Sequence, residues 1–314
     1  MSILLLGANG QLGRTFLAQG GLAARGALLV ASRDGMLTDG ARGEIADLAA
    51  PASLPALLDR LRPDLIVNAA AYTAVDRAEQ EEPLAMRVNA EAVSVIGRWA
   101  AAHGTQVIHY STDYVFDGAQ PQPYTIDAPV APLGAYGRSK LAGEQALRDS
   151  GADHLILRTA WVYAAHGQNF LRTMLRVGAE REELRVVDDQ HGAPTDTGLI
   201  VRASLAALDR WRPADAAQRK QLGGTHHLVA SGATTWHGFA TATFEQALAQ
   251  GLIDRAPRVL PISSAEFPTP AKRPAWSLLD NSDFQRQFEF ALPDWRTGLE
   301  EVMGELVRHA DGAS

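Results

Sequence analysis

A doubly wound parallel α/β sheet followed by a smaller C-terminal lobe is the fold this sequence predicts, and three observations predict it. Short, mainly apolar runs at residues 3–6, 27–31, 65–67, 106–110 and 155–157 lack the regular polar alternation of half-solvated strands, as expected of strands buried on both faces. Segments with helical spacing fill the intervals, at 53–61, 83–103 and 136–148, and strands alternating with helices build parallel sheets. The first run ends in a glycine-rich turn that opens a helix, Gly7-Ala8-Asn9-Gly10-Gln11-Leu12-Gly13. In a Rossmann-type sheet such glycines let the backbone approach a pyrophosphate, and the helix start offers free N–H groups. The spacing here is Gly-x-x-Gly-x-x-Gly, one residue wider at its start than the Gly-x-Gly-x-x-Gly form.

Bulk properties narrow the function classes. The 314 residues suffice for a sizeable core, and 46% hydrophobic with 21% charged is ordinary globular composition. A formal net charge of −7 argues against a general nucleic-acid or anionic-membrane binder. The absence of cysteine excludes disulfides, thiolate catalysis and cysteine-ligated metals, and is compatible with a reducing compartment. The apolar run at residues 3–6 is too short for a secretory core, and no run reaches the roughly 18 residues of a membrane span. The expectation is a cytoplasmic protein. A dinucleotide-binding domain is expected over residues 1–160, its core completed by parts of 161–230, with residues 161–314 mainly a substrate-binding lobe.

Taken in order, the second strand ends at Ser32-Arg33-Asp34. An acid at this place favours NAD and an arginine accommodates a 2′-phosphate, so Arg33 leans towards NADPH while adjacent Asp34 pulls the other way. The strand at 65–67 exits into Asn68-Ala69-Ala70-Ala71-Tyr72-Thr73, small enough for a flat ligand to lie on the backbone. Residues 76–82 are acidic and read as a solvated surface turn. The helical stretch 83–103 carries Asn89, a polar residue near the sheet. The strand at 106–110 runs into Ser111-Thr112-Asp113, and prolines 121, 123, 129 and 132 make residues 117–135 a surface loop. A helix then opens with Tyr136, and Lys140 lies four residues on, on the same face. A fixed cation lowers a phenol's pKa from its reference near 10, which suits proton exchange with a carbonyl oxygen. Thr112 adds a hydrogen bond to that oxygen.

Beyond residue 158 the alternation loosens. Trp161 and Tyr163 fall in a loop, a helix runs over 170–180, a short strand covers 186–187, and 189–195 is a loop. A helix at 195–211, a strand at 226–230, a helix at 236–250, a proline-rich stretch at 257–274 and a closing helix at 294–306 follow. Nine histidines include adjacent His226 and His227, which point to opposite faces of a strand. No His-Glu-x-x-His spacing exists, so no metal site is expected. A nucleophile elbow, Gly-x-Ser-x-Gly, is also absent.

These pieces converge on a known pattern. Residues 67–76 (Val-Asn-Ala-Ala-Ala-Tyr-Thr-Ala-Val-Asp), His109-Tyr110-Ser111-Thr112-Asp113-Tyr114-Val115-Phe116, Arg158-Thr159-Ala160-Trp161-Val162-Tyr163, Gly192-Ala193-Pro194-Thr195 and Pro268-Thr269-Pro270-Ala271 join the glycine turn and the Tyr-x-x-x-Lys pair. The chain resembles the extended short-chain dehydrogenase/reductases, and within them those that act on sugar nucleotides. The resemblance implies NAD(P)H-dependent reduction of the C4 ketone of a dTDP-4-keto-6-deoxyhexose, with Thr112, Tyr136 and Lys140 as the catalytic trio. It implies a cofactor site of Gly7, Gly10, Gln11, Leu12, Gly13, Arg33, Asp47, Leu48, Ala71, Tyr72, Thr73, Tyr136 and Lys140. It also implies sugar contacts from Thr112, Asp113 and Trp161, with Lys272 and Arg273 as candidates for the diphosphate. Some members dimerise through a magnesium ion held by glutamates. Arg14-Thr15-Phe16 and Gly198 stand at the corresponding positions here, so a monomer or weak dimer is expected, and no such metal-bridged dimer. Two alternatives share the pattern: another nucleotide-sugar 4-ketoreductase or epimerase, and a non-catalytic NADP-binding regulatory subunit.

Overall fold

The computed structural model describes residues 1–311. Seven parallel strands form the central sheet: β1 (Ser2–Leu6), β2 (Ala27–Ser32), β3 (Glu44–Ile45), β4 (Leu65–Asn68), β5 (Gln106–Thr112), β6 (His154–Thr159) and, after four short strands outside this sheet, β11 (Gly224–His227). Their spatial order is β11-β6-β5-β4-β1-β2-β3, and every neighbouring pair is parallel. The order reverses between β1 and β4, where ligands bind in such sheets.

Strand composition explains the double winding. Ile3, Leu5, Leu65, Val67, Ile108 and Tyr110 pack to one side, with helices α1 (Gln11–Gln19) and α8 (Thr197–Trp211). Leu4, Leu6, Ile66 and Val107 alternate to the other, against α2 (Leu54–Leu61) and α5 (Ala92–His103). Both sets are buried, so period-2 alternation separates two apolar faces rather than core from solvent.

The expected single helix at 83–103 is three pieces: α4 (Glu82–Met86), a π-helical turn (Arg87–Glu91) and α5. A short α3 (Val75–Ala78) precedes them. The extra residue of a π turn re-aims side chains, and here the turn contains Asn89. Helix α6 (Ala135–Asp149), which carries Tyr136 and Lys140, packs against this turn.

The C-terminal elements divide between two places. Strand β11 extends the central sheet, and α8, α9 (Ala216–Leu222) and α11 (Ser282–Phe288) stay near that edge. A separate layer holds α7 (Phe170–Glu180), α10 (Trp236–Ala249) and the parallel pair β8 (Glu183–Val187) and β13 (Arg258–Ile262). Its core is Leu184, Val186, Ala240 and Phe244. Two-residue ladders run through the loops expected around 161–163 and 189–195: β7 (Val162–Tyr163) pairs with β10 (Thr195–Asp196), and β9 (His191–Gly192) with β12 (Thr234–Thr235). Side-chain caps start several of these helices: Asn169 accepts from Arg172 N, Asp196 from Leu199 N and Thr235 from Gly238 N. Helix α12 (Trp295–Asp311) closes the described chain. No helix among the described residues is long and apolar enough to cross a membrane.

Candidate active site

Close backbone approach shapes the first part of the site. Gly7 has φ 81°, and a Cβ there would lie 2.6 Å from Ala70 N. A Cβ on Gly13 would lie 2.2 Å from the Gly7 carbonyl oxygen. The turn, the start of α1 and the end of β4 therefore touch, and only glycine permits it. Helix α1 begins at Gly10 with no side-chain cap and no acid in its first turn, leaving its first N–H groups for an anion. Gln11 is fixed from the far half of the chain: its Oε1 accepts from Asn169 Nδ2 at 2.8 Å and its carbonyl from His166 Nε2 at 3.0 Å.

At the end of β2, Asp34 turns into its own loop and accepts from Met36 N at 3.1 Å. Arg33 is exposed. Asp47 closes a turn by accepting from Ala49 N, and Leu48 beside it is buried. Asn89 holds both backbone groups of Tyr72: its Oδ1 accepts from Tyr72 N at 2.9 Å and its Nδ2 donates to Tyr72 O at 3.0 Å. These features fit a nicotinamide dinucleotide. The cradle has no room for a Cβ, the helix start is uncapped, and an exposed cation, Arg33, stands at the end of β2.

The second part forms where β5 meets α6. Thr112 ends β5, Asp113 opens a 3-10 turn, and Tyr136 and Lys140 lie on successive turns of α6. Gly137 allows that helix to press on the turn after Thr112, since a Cβ there would meet the Tyr114 carbonyl oxygen at 2.2 Å. The Tyr114 and Tyr136 rings meet edge to face at 5.5 Å. Lys140 is buried. Its Nζ donates to Tyr110 O at 2.6 Å and lies 3.4 Å from His109 Nε2. His109 Nδ1 meets Asn68 Nδ2 at 3.1 Å, and Asn68 Oδ1 accepts from Ala70 N. One network thus ties the lysine to two strand ends.

The expected lowering of the phenol does not occur. Burial pushes the Tyr136 pKa up, and the Thr112 hydroxyl opposes it; ionisation of Asp113 would raise it further. The Lys140 ammonium is engaged with Tyr110 and His109 instead, and its own burial lowers it to about 8. Asp113 is the other displaced group: burial raises it to about 7, against the hydrogen bond from Thr112 and the nearby Ser277 hydroxyl. Its Oδ1 accepts from Thr112 Oγ1 at 2.9 Å, and its buried Oδ2 has no partner.

The wall opposite comes from the C-terminal half. Trp161 stacks on Trp236 at 3.5 Å and 5°, and its Nε1 donates to Ser277 Oγ at 3.1 Å. Its φ of 47° costs about 1–3 kcal/mol. The stack and the bare Gly192, whose Cβ would fall 2.4 Å from the indole, hold it there. Arg273 is not a free cation, because Asp76 grips it with both oxygens at 3.1 and 2.8 Å. Lys272 is exposed.

The acidic stretch 76–82 is therefore not a merely solvated turn. Asp76 anchors Arg273, Glu81 accepts from the Tyr72 hydroxyl, Glu82 pairs with Arg138, and Glu79 accepts from Ala135 N at the start of α6. Sequence reading missed these roles, and those of His109, Tyr114, Asn169 and Ser277. His109 and Tyr114 lie inside the 109–116 motif, which is the signal that could have found them.

The chain matches the family described as RmlD substrate binding domain over residues 1–308. It is 43% identical over 306 residues to a dTDP-4-dehydrorhamnose reductase of Shigella flexneri, covering 98% of each chain. A dTDP-4-dehydrorhamnose reductase structure from Clostridium acetobutylicum superposes with a TM-score of 0.84 and 32% identity, covering 98% of this chain and 99% of that one. One from Bacillus anthracis, in complex with NADP, gives 0.82 and 32%, covering 97% and 99%. Likeness of this length places the chain in the RmlD family, among relatives that are dTDP-4-dehydrorhamnose reductases.

Proposed function

We propose that this site reduces the C4 ketone of dTDP-4-dehydro-β-L-rhamnose to dTDP-β-L-rhamnose, with NADPH or NADH as reductant. The observation that carries this reading is the convergence of Thr112, Tyr136 and Lys140 beside the glycine cradle, at the edge where the strand order reverses. The nicotinamide, when bound, supplies the hydride. Tyr136 donates its phenolic proton to the C4 oxygen as charge develops there. A phenol with its pKa pushed up holds that proton until an alkoxide-like oxygen draws it. Thr112 hydrogen-bonds the same oxygen, and Lys140 is the buried cation that steadies the cofactor ribose. Gly7, Gly10, Gln11, Leu12 and Gly13 take the pyrophosphate, Arg33 a 2′-phosphate, and Asp47, Leu48, Ala71, Tyr72 and Thr73 the remaining cofactor surface.

Trp161 and Asp113 wall the sugar. Lys272 is the available cation for the diphosphate, with Arg273 pre-set by Asp76. Residues 161–314 serve mainly as the substrate lobe, apart from the portion that completes the sheet. Arg14 and Gly198 offer no carboxylate for a metal-bridged dimer, so the working form is a monomer or weak dimer. A place in the cytoplasm, where sugar nucleotides are made and used, fits this reaction. The test is loss of nicotinamide absorbance that depends on enzymatically prepared dTDP-4-dehydrorhamnose. Oxidation of NADPH without the sugar nucleotide, or none with it, would contradict the assignment.

A further inference from the structure

Hydrogen-bond accounting at Thr112 leads beyond the trio. A threonine hydroxyl has one proton to give and two lone pairs. One lone pair of Thr112 Oγ1 already accepts from Tyr114 N at 3.2 Å. Its proton points to Asp113 Oδ1 at 2.9 Å. With Asp113 ionised, Thr112 therefore presents only a lone pair to the site. A ketone oxygen is itself only an acceptor, so that arrangement sets two acceptors against each other. If Asp113 carries a proton, the direction reverses: the carboxyl O–H donates to Thr112 Oγ1 and the threonine proton is free for the ketone.

The surroundings favour the neutral form. Asp113 is 2% exposed and its Oδ2 is buried without a partner, a costly state for a carboxylate and a mild one for a carboxyl C=O. The groups around it are the Thr112 and Ser277 hydroxyls, the backbone N–H groups of Asp113 and Tyr114, and the Tyr114 and Tyr136 phenols. The ion pair Arg273–Asp76 bears on the Tyr114 phenol, and Lys140 is directed to His109 and Tyr110.

We propose that Asp113 works as a neutral carboxylic acid that turns the Thr112 proton onto the substrate oxygen protonated by Tyr136. Asp113 keeps its proton throughout; the transferred proton is the tyrosine's. It is thus a positioning residue acting through Thr112, and the proposal rests on the reduction assigned above.

The pH dependence of kcat/KM for the wild type, Asp113→Asn and Asp113→Ala tests it. An asparagine amide donates permanently, as the neutral acid does, and cannot titrate. Wild-type turnover is expected to fall as pH rises through the range in which Asp113 ionises, near 7. Asp113→Asn is expected to stay within about tenfold of the low-pH wild type and to lose that fall, while Asp113→Ala drops about 10²–10³-fold at every pH, the scale of a lost oriented donor. Normal NADPH binding confirms folding of each variant. An Asn variant as inactive as the Ala variant, or one retaining the wild-type fall, overturns the proposal. Infrared difference spectra of the NADPH complex without sugar provide a readout independent of turnover. A protonated-carboxyl band that vanishes as pH rises and is missing in Asp113→Asn is expected, and its absence from the wild type overturns the proposal. A band present in an enzyme that reduces no sugar nucleotide places the failure in the reduction reading instead.

Discussion

Lys140 and Asp113 flank the same tyrosine and are equally buried, at 2% exposure, yet their surroundings differ. The lysine's bond is to a backbone carbonyl, and behind it His109 and Asn68 are held by two adjacent strands. Nothing there can reverse direction except the imidazole tautomer. The aspartate is bonded to a hydroxyl, which can reverse, and has one oxygen with no partner. Burial drives both towards neutrality, Lys140 down to about 8 and Asp113 up to about 7. The difference teaches that one flank is a fixed floor belonging to the fold, while the other is completed by what binds.

The largest expected effect lies between the flanks. Tyr136→Phe removes the proton donor and should lower kcat by about 10²–10⁴-fold with cofactor affinity largely intact, as stopped-flow turnover and NADPH fluorescence titration would show. Unchanged turnover would remove Tyr136 from the mechanism and erase the contrast.

Attacking the fixed floor should read out differently. Asn89→Ala strands the Tyr72 N–H and carbonyl and removes the bond that the Ser139 hydroxyl accepts. An unmet buried group costs about 1–3 kcal/mol, so the prediction is a lower denaturation midpoint and a higher KM for NADPH, with kcat changing less. A kcat-only effect would mean that the π turn acts directly on chemistry.

The two flanks also have opposite pH signatures in stability. The raised aspartate contributes stability that is fully present below its unfolded value, near 4, and lost as pH rises through about 7. The lowered lysine contributes stability present above its unfolded value, near 10, and lost as pH falls through about 8. Asp113→Asn should therefore raise Tm at pH 8 by a few degrees, with the gain shrinking towards pH 4 in scanning calorimetry. A gain independent of pH would mean that the carboxylate is not destabilised by burial.

The smallest effect concerns the cofactor edge. Arg33→Ala should weaken NADPH by about tenfold, the loss of a charged hydrogen bond, and leave NADH nearly unchanged. Equal loss for both cofactors would refute a 2′-phosphate role.

The same floor-and-wall division marks what the sequence allowed to be read. The glycine cradle and the Tyr136–Lys140 face were legible because both are local: a turn followed by a helix, and a spacing of one helical turn. The strand pattern placed them at one edge. What escaped is long-range. Arg273 meets Asp76 across 197 residues, and Ala135 meets Glu79 across 56, so an acidic run gave no sign that it caps the catalytic helix and holds a proline-rich loop. The tyrosine's pKa also escaped. Helical spacing says which way a lysine points, but not that a carbonyl on β5 takes up its charge. The C-terminal half was read least well, because its short ladders pair residues whose partners lie tens of positions away.

Reduction at C4 is the central claim, and the most direct measurement locates the transferred hydride. With NADPH deuterated at the transferable position of the nicotinamide and dTDP-4-dehydrorhamnose as substrate, the product is analysed by NMR and mass spectrometry. The account predicts dTDP-L-rhamnose carrying one deuterium, at C4. Deuterium at another carbon, an unlabelled product, or the C4 epimer would contradict it.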